Sequence, residues 1–113
     1  MAGDNSISQM KKGALEYCVL ALLVKEPRYG FDLVRRLSEI DGLLTTEGTI
    51  YPLLTRLRRD ELVDSEWRES SEGPPRRYYR LTTQGRGALS GFRQQWATFR
   101  VAVDRLLEAG GSA

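Results

Sequence analysis

The chain has 113 residues and a net charge of +2, which bounds it to one domain with a small core. It contains no histidine and one cysteine, which excludes histidine-based catalysis, an intrachain disulfide and a zinc site of clustered cysteines and histidines. No apolar run approaches the roughly 18 residues of a membrane-spanning helix, and the N-terminus lacks the pattern of a secretory signal. We therefore expect a cytoplasmic protein without enzymatic activity, cofactor or metal.

The first predicted element is a helix over Gln9–Lys25. Leu15, Val19 and Leu22 recur there at the spacing of one helical face. Pro27 ends this helix, because the residue before a proline avoids the helical conformation.

A second helix is predicted over Tyr29–Ile40. Its inward side chains are expected to be Leu33, Leu37 and Ile40. Gly42 is a suitable stop, because glycine adopts the left-handed conformation that often follows a helix.

A third helix, Gly48–Arg59, has two distinct faces. One carries an apolar stripe, formed by Ile50, Leu53, Leu54 and Leu57. The other is polar and basic, with Tyr51, Thr55, Arg56 and Arg59. Either Thr46 or Thr49 could cap the helix. We favour the later start, because Pro52 is best tolerated in the first turn.

A hairpin is predicted next, with strands Leu62–Glu69 and Arg76–Leu81 around a Ser-Ser-Glu-Gly-Pro-Pro turn. In the second strand Arg76, Tyr78 and Arg80 alternate with Arg77, Tyr79 and Leu81. The sequence does not settle which tyrosine lies in the core. Trp67 is expected to pack under the sheet rather than stack on a base, because large aromatic side chains mostly pack.

The last helix is predicted from a cap at Thr82 or Thr83 to about Ala109. Its apolar residues are spaced 3, 4, 3, 4 and 3 positions apart, namely Leu89, Phe92, Trp96, Phe99, Val103 and Leu106. This is the seam of a short coiled coil. We favour a homodimer seam over a helix docked on its own domain, because a helix of this length overhangs so small a core.

The charged residues indicate nucleic-acid binding only because of where they lie, on the third predicted helix and the hairpin. Residues 56–80 carry seven arginines and six acids, which on charge alone fits a solvated face equally well. A helix with a basic outer face followed by a basic-edged hairpin, however, is what a winged helix uses on DNA: the helix enters the major groove and the hairpin reaches the backbone.

We therefore predict an α+β, mostly α fold. A winged helix-turn-helix of three helices and a two-stranded wing occupies residues 9–81, and a dimerisation helix occupies 82–109. Residues 1–8 and 110–113 are expected to be tails.

Several motifs resemble the PadR family of transcriptional regulators. They are Gly48-Thr-Ile-Tyr-Pro-Leu-Leu-Thr-Arg-Leu57, Leu62-Val63, Trp67, Gly73-Pro74 and Arg76-Arg-Tyr-Tyr-Arg-Leu-Thr82 with Gly85, and Tyr29-Gly30 fits the same pattern. The resemblance covers about residues 10–109, and the single last helix is similar to that of short-form members. It implies a homodimeric repressor that binds double-stranded operator DNA.

The resemblance also implies roles for individual residues. Tyr29, Thr49 and Tyr51 are expected to contact DNA, with Arg76 and Arg77 as the basic wing. In multidrug-binding relatives a tryptophan on the last helix stacks on flat aromatic compounds at the dimer interface. Trp96 matches that position, with Phe99 and Tyr17 as further walls for a small aromatic effector. The favoured alternative is that Trp96 simply packs in the seam.

A winged helix that binds another protein instead of DNA is the rival function. This rival stands because a fold does not determine a function. Its docking face would be the acidic residues around the hairpin. Salt dependence separates the two functions, since the logarithm of DNA affinity falls with the logarithm of salt concentration at a slope of about −0.9 per neutralised phosphate.

Overall fold

The computed structural model describes residues 13–40, 43 and 45–111. In chain order the elements are helical residues 13–22 (α1), Arg28–Tyr29 (β1), Gly30–Ser38 (α2), Glu47–Arg59 (α3), Val63–Ser70 (β2), Gly73–Leu81 (β3) and Thr83–Ala109 (α4). The predicted α+β, mostly helical winged fold with a long last helix is confirmed. The predicted tail at 1–8, the start of the first helix at Gln9 and the stop at Gly42 lie outside the described residues.

The predicted two-stranded hairpin is present as β2 and β3, and a short strand that was not predicted extends the sheet to three antiparallel strands in the order β1-β3-β2. In β1, Arg28 pairs with Tyr79 and Tyr29 with Tyr78. Two residues are too few to show an alternating pattern, which is why the sequence did not reveal this strand.

The hairpin differs from its prediction in its turn. The predicted turn residues Gly73-Pro74-Pro75 belong to β3, and only residues 71–72 form the turn. The prolines lie in the irregular segment between the Arg68–Arg76 and Ser70–Gly73 pairs. Their missing N–H groups therefore cost the ladder no hydrogen bond.

One hydrophobic core joins α1, α2, α3, the sheet and the start of α4. The apolar stripe of α3 is buried as predicted, and so are Leu33 and Leu37. Tyr79 is the core tyrosine. Two predictions were wrong. Ile40 is 49% exposed because α2 ends at Ser38, and Trp67 is 64% exposed because the hairpin extends past the core.

Hydrogen bonds at the first residues of α3 and α4 define where these helices begin. The favoured late start of α3 was wrong: the helix begins at Glu47, and the Thr46 carbonyl accepts hydrogen bonds from Thr49 and Ile50 N–H. Pro52 therefore lies inside the helix, in its second turn. The cap of α4 is confirmed, because Thr82 Oγ1 accepts from Gly85 N–H at 2.9 Å. Among the described residues no helix is long and apolar enough to span a membrane.

Candidate nucleic-acid interface

The outer face of α3 groups the side chains predicted to contact DNA. All are exposed: Thr49, Tyr51, Thr55, Arg56 and Arg59. Thr49, Arg56 and Arg59 also line a groove of about 380 Å³ between α1 and α3. The Thr55 hydroxyl donates to the Tyr51 carbonyl at 3.1 Å, so this donor is already used within the helix. Contact with DNA stays a prediction for each of these residues.

Tyr51 joins the start of α3 to the start of α2. Its ring lies so close over Gly30 that a Cβ at that position would overlap the ring. Partial burial, followed by the nearby Glu47 carboxylate, raises the pKa of Tyr51. The phenol therefore stays protonated and can donate a hydrogen bond. Glycine after Tyr29 has a structural reason, namely to seat Tyr51.

The two predicted arginines of α3 are paired with acids. Arg56 lies 3.6 Å from Glu16 of α1, and Arg59 lies 3.5 Å from Asp60. Exposed pairs of this kind contribute little stability, about 0–1 kcal/mol. DNA phosphates or base edges can therefore compete with both carboxylates.

On one face of the sheet, two arginines and two tyrosines form what we call the outer stack: Arg68, Tyr78, Tyr29 and Arg76. The Arg68 guanidinium lies 4.4 Å from the Tyr78 ring centre, and that of Arg76 lies 4.6 Å from the Tyr29 ring centre. The two rings are 5.5 Å apart. The structure thus brings together Tyr29 and Arg76, which were both predicted to contact DNA. Tyr78 and Arg68 were missed, because their place depends on the strand register.

The opposite face carries Trp67 and Arg77, which are cross-strand partners. The Arg77 guanidinium lies 5.1 Å from the Trp67 ring centre. The neighbouring hairpin arginines Arg68 and Arg80 pair with Glu66 and Asp64. Neither Arg76 nor Arg77 pairs with a carboxylate in the part of the chain that the structure describes, so their charges are the least compensated of the hairpin.

Sequence reasoning missed a buried carboxylate in α2. Asp32 accepts hydrogen bonds from Arg28 at 3.3 Å, Arg35 at 2.9 Å and Arg36 at 3.0 Å. Burial alone would raise the pKa of Asp32, but the hydrogen bonds from Arg35, Arg36 and Arg28 outweigh it and hold the pKa below its usual value. Arg28 also donates to the Leu22 carbonyl at 2.7 Å, which ties the end of α1 to this cluster.

The predicted seam of α4 divides into two parts. Leu89 is buried in the core of its own domain, and its predicted part in dimerisation stays a prediction. Beyond it an aromatic ladder leaves the domain, formed by Tyr17, Phe92, Trp96 and Phe99. Successive ring centres are 4.0, 5.9 and 6.3 Å apart, and the Tyr17 and Phe92 rings are parallel within 5°.

The ladder brings together the three residues predicted to bind an effector, Tyr17, Trp96 and Phe99. Phe92, Trp96 and Phe99 also line a shallow depression of about 390 Å³ next to residues 13–14. Towards the end of α4, Val103 is half-buried and Leu106 is 75% exposed. Within the described residues, no group of histidine, cysteine or acidic side chains could hold a metal ion.

Comparison with known proteins gives a consistent result. The Transcriptional regulator PadR-like family matches residues 19–91. A PadR-like transcription factor from Bacteroides fragilis is 47% identical, with a TM-score of 0.75 over 91% of this chain and 99% of its own. A PadR family transcriptional regulator from Eggerthella lenta is 38% identical, with a TM-score of 0.80 over 96% and 97%. A transcriptional regulator of Mycobacterium tuberculosis is 35% identical over 82 residues, which are 73% of this chain and 75% of that protein.

Proposed function

The chain belongs to the PadR-like family of transcriptional regulators, and we propose that it acts there as a homodimeric repressor of a roughly palindromic operator. A DNA-binding regulator is what the family implies, and the prediction that the chain is not an enzyme is confirmed. The repressor activity, the dimer and the operator symmetry are the proposal. The observation that carries the DNA contacts is the exposed polar face of α3 together with hairpin arginines that no acid pairs with, and the dimer rests on the exposed apolar side of α4.

In this proposal α3 lies in the major groove. Thr49 and Tyr51 approach base edges from the first turns of the helix, and Arg56 approaches them from the exposed side of its last turn. Thr55 and Arg59 extend that face towards the backbone. On the sheet, Tyr29 of β1 and the hairpin residues Arg76 and Arg77 hold the flanking DNA. These contacts fix orientation, whereas base contacts carry sequence information.

Titration of duplex DNA at several salt concentrations tests this assignment. Tyr51→Ala and Arg56→Ala should weaken binding of the preferred duplex by about 1–3 kcal/mol and flatten sequence preference. Among duplexes with identical flanks, Arg76→Ala and Arg77→Ala should weaken binding of preferred and unrelated sequences alike and reduce the salt slope by about 1 each. Arg80→Ala is the control, since its charge is already balanced by Asp64. Absence of any salt-dependent duplex affinity would instead favour the protein-docking function.

The dimer is supported by the second half of α4. Large apolar side chains on one side of it are exposed in the single chain, namely Trp96, Phe99, Leu106 and Leu107. Contiguous apolar surface of this kind marks an interaction site. A two-fold dimer reads half-sites about 10 base pairs apart, or a multiple of it.

Sedimentation of two charge-matched variants tests the dimer. Leu106→Glu should dissociate it without unfolding the domain, because Leu106 contributes nothing to the domain core. Gln94→Glu adds the same charge on the opposite side of α4 and should leave the dimer intact. A stable monomer of the unmodified chain that binds DNA tightly would contradict the proposal.

The last part of the proposal is regulation by a small aromatic effector. It rests on the aromatic ladder and its depression, where a planar compound could stack on Trp96 and Phe99. In a Trp67→Phe variant, quenching of Trp96 emission by a planar aromatic compound reports binding, and release of the duplex by a planar compound that does not itself bind DNA reports regulation. If neither occurs and Trp96→Leu leaves DNA binding unchanged, Trp96 is a packing residue.

A further inference from the structure

Trp67 stands on the core-facing side of the hairpin but outside the core. On β2 this side begins with Val63, which is 1% exposed, and continues through Ser65 to Trp67, which is 64% exposed. The alternation of the strand is intact, so the tryptophan is not turned outward. The hairpin continues beyond the helices, and the indole stays largely exposed although the Arg77 guanidinium lies over its ring.

Arg77 lies opposite Trp67 and shares its surface. Its Nε is buried and has no hydrogen-bond partner among the described residues. Stacking on the indole holds the guanidinium plane, because the ring face attracts a cation. A ring orients an arginine without cancelling its charge, so this pair combines apolar surface with an uncompensated positive charge.

The charge changes sign towards the end of the hairpin. Residues 69–75 contain Glu69 and Glu72 and no lysine or arginine. An acidic tip is repelled by DNA phosphates. The layer with the positive charge is therefore the middle of the hairpin, where Trp67, Arg76 and Arg77 lie.

We propose that the hairpin contacts DNA through this middle layer and not through its tip. Trp67 packs against the sugars of the minor groove, and Arg77 enters the groove beside it. Narrow minor grooves of A·T-rich tracts have enhanced negative potential that attracts arginine, and apolar side chains commonly wedge into such grooves. The pair therefore gives a preference for A·T-rich DNA beside the segment that α3 reads. This inference rests on the proposed function.

The first test uses Trp67 as its own reporter. The chain has two tryptophans, so in a Trp96→Phe variant all tryptophan emission comes from Trp67. The probe is a duplex selected by the intact protein from a randomised pool. On binding, we expect the emission to shift to the blue and to lose its quenching by acrylamide. Anisotropy of a dye on the same duplex measures binding independently.

The second test compares duplexes that differ only in their flanks, either A·T-rich or G·C-rich. The parent should prefer A·T-rich flanks by about tenfold, the size of a typical single base-pair preference. Arg77→Gln should abolish this preference, and Trp67→Ser should reduce it. Arg80→Gln removes the same charge from the same strand and should leave the preference unchanged. Thermal unfolding of each variant confirms that the fold is retained.

The outcomes separate the inference from the proposed function. If the dye anisotropy shows no duplex binding, the proposed function fails and takes the inference with it. If the duplex binds while Trp67 emission and quenching stay constant, only the inference fails. A Trp67 that is already shielded from acrylamide in the free protein, or a flank preference that survives Arg77→Gln, overturns the inference in the same way.

Discussion

The helices and the hairpin differ in how they hold the arginines assigned to DNA. On the helices, carboxylates hold them: Glu16 holds Arg56 and Asp60 holds Arg59, as Asp32 holds Arg35 and Arg36. On the hairpin, Arg68 and Arg80 also pair with acids, but the two arginines assigned to DNA do not. Instead, Arg76 lies over Tyr29 and Arg77 over Trp67. A carboxylate orients a guanidinium but competes with phosphate for its charge. An aromatic ring orients it and leaves the charge available.

This difference suggests a division of labour. Arginines that lie over rings can bind phosphates or a groove of negative potential without first leaving an acid, which favours general DNA affinity. Arginines held by acids must exchange partners, so they gain from DNA only where the new contact is better than the old one. That condition favours selectivity at α3 and affinity at the hairpin.

The largest expected effect removes the buried acid on the helix side. Asp32→Asn should lower the free energy of unfolding by about 2 kcal/mol, because the buried Asp32 carboxylate and the largely buried Arg28 lose their contact, while the exposed Arg35 and Arg36 contribute less. Chemical denaturation at neutral pH measures this loss. If the loss is absent, the cluster does not hold α1, β1 and α2 together.

The same variant gives a pH test. The pKa of Asp32 is lower in the folded protein than its ordinary value of 3.8. The carboxylate therefore stabilises the fold fully above the ordinary pKa, and this contribution is lost as the pH falls through the lower, folded-state pKa. The difference between Asp32→Asn and the parent should shrink in that acidic range. A constant difference across it would show that ionisation of Asp32 is not the cause.

The next effect concerns how α3 is seated. Gly30→Ala places a Cβ where the Tyr51 ring lies, so Tyr51 must move. We expect duplex affinity to fall by about 1–2 kcal/mol through the displaced tyrosine. A double-mutant cycle gives the control: in a Tyr51→Ala background, Gly30→Ala should change nothing further. Independent, additive losses would mean that Gly30 acts on something other than Tyr51.

Much of this arrangement was predictable from the sequence, and the parts that were not predicted have identifiable physical reasons. The stripe of α3 and the Thr82 cap were predicted correctly, because each depends on residues a few positions apart. The stacking of Arg76 on Tyr29 depends on the β1–β3 pairing of distant segments. Trp67 was placed in the core because aromatic residues usually pack, and the sequence did not show that the hairpin outgrows the core.

A smaller effect tests whether aromatic rings orient the hairpin arginines towards DNA. Tyr29→Leu keeps every charge but removes the ring under Arg76. Affinity for all duplexes should fall by about 0.5–1 kcal/mol, the contribution of an exposed cation–π contact. Tyr29→Phe keeps the ring and should bind like the parent. If both variants weaken binding equally, the Tyr29 hydroxyl contacts DNA directly and the ring is not the reason.

The smallest effect has the opposite sign and comes from the helix side. Glu16→Gln frees Arg56 from the carboxylate 3.6 Å away. Because an exposed pair of this kind is worth about 0.2–1 kcal/mol, duplex affinity should rise by no more than that. The rise should be larger for unrelated duplexes than for the preferred one, since the acid no longer penalises poor contacts.

Asp64→Asn, which frees Arg80 on the hairpin, is the matched control, and Arg56→Ala should cancel the effect of Glu16→Gln. Titrations of preferred and unrelated duplexes with these variants measure the difference. If Glu16→Gln weakens binding instead, Glu16 positions Arg56 for its contact, and acids on the helices then orient the reading arginines as the rings do on the hairpin.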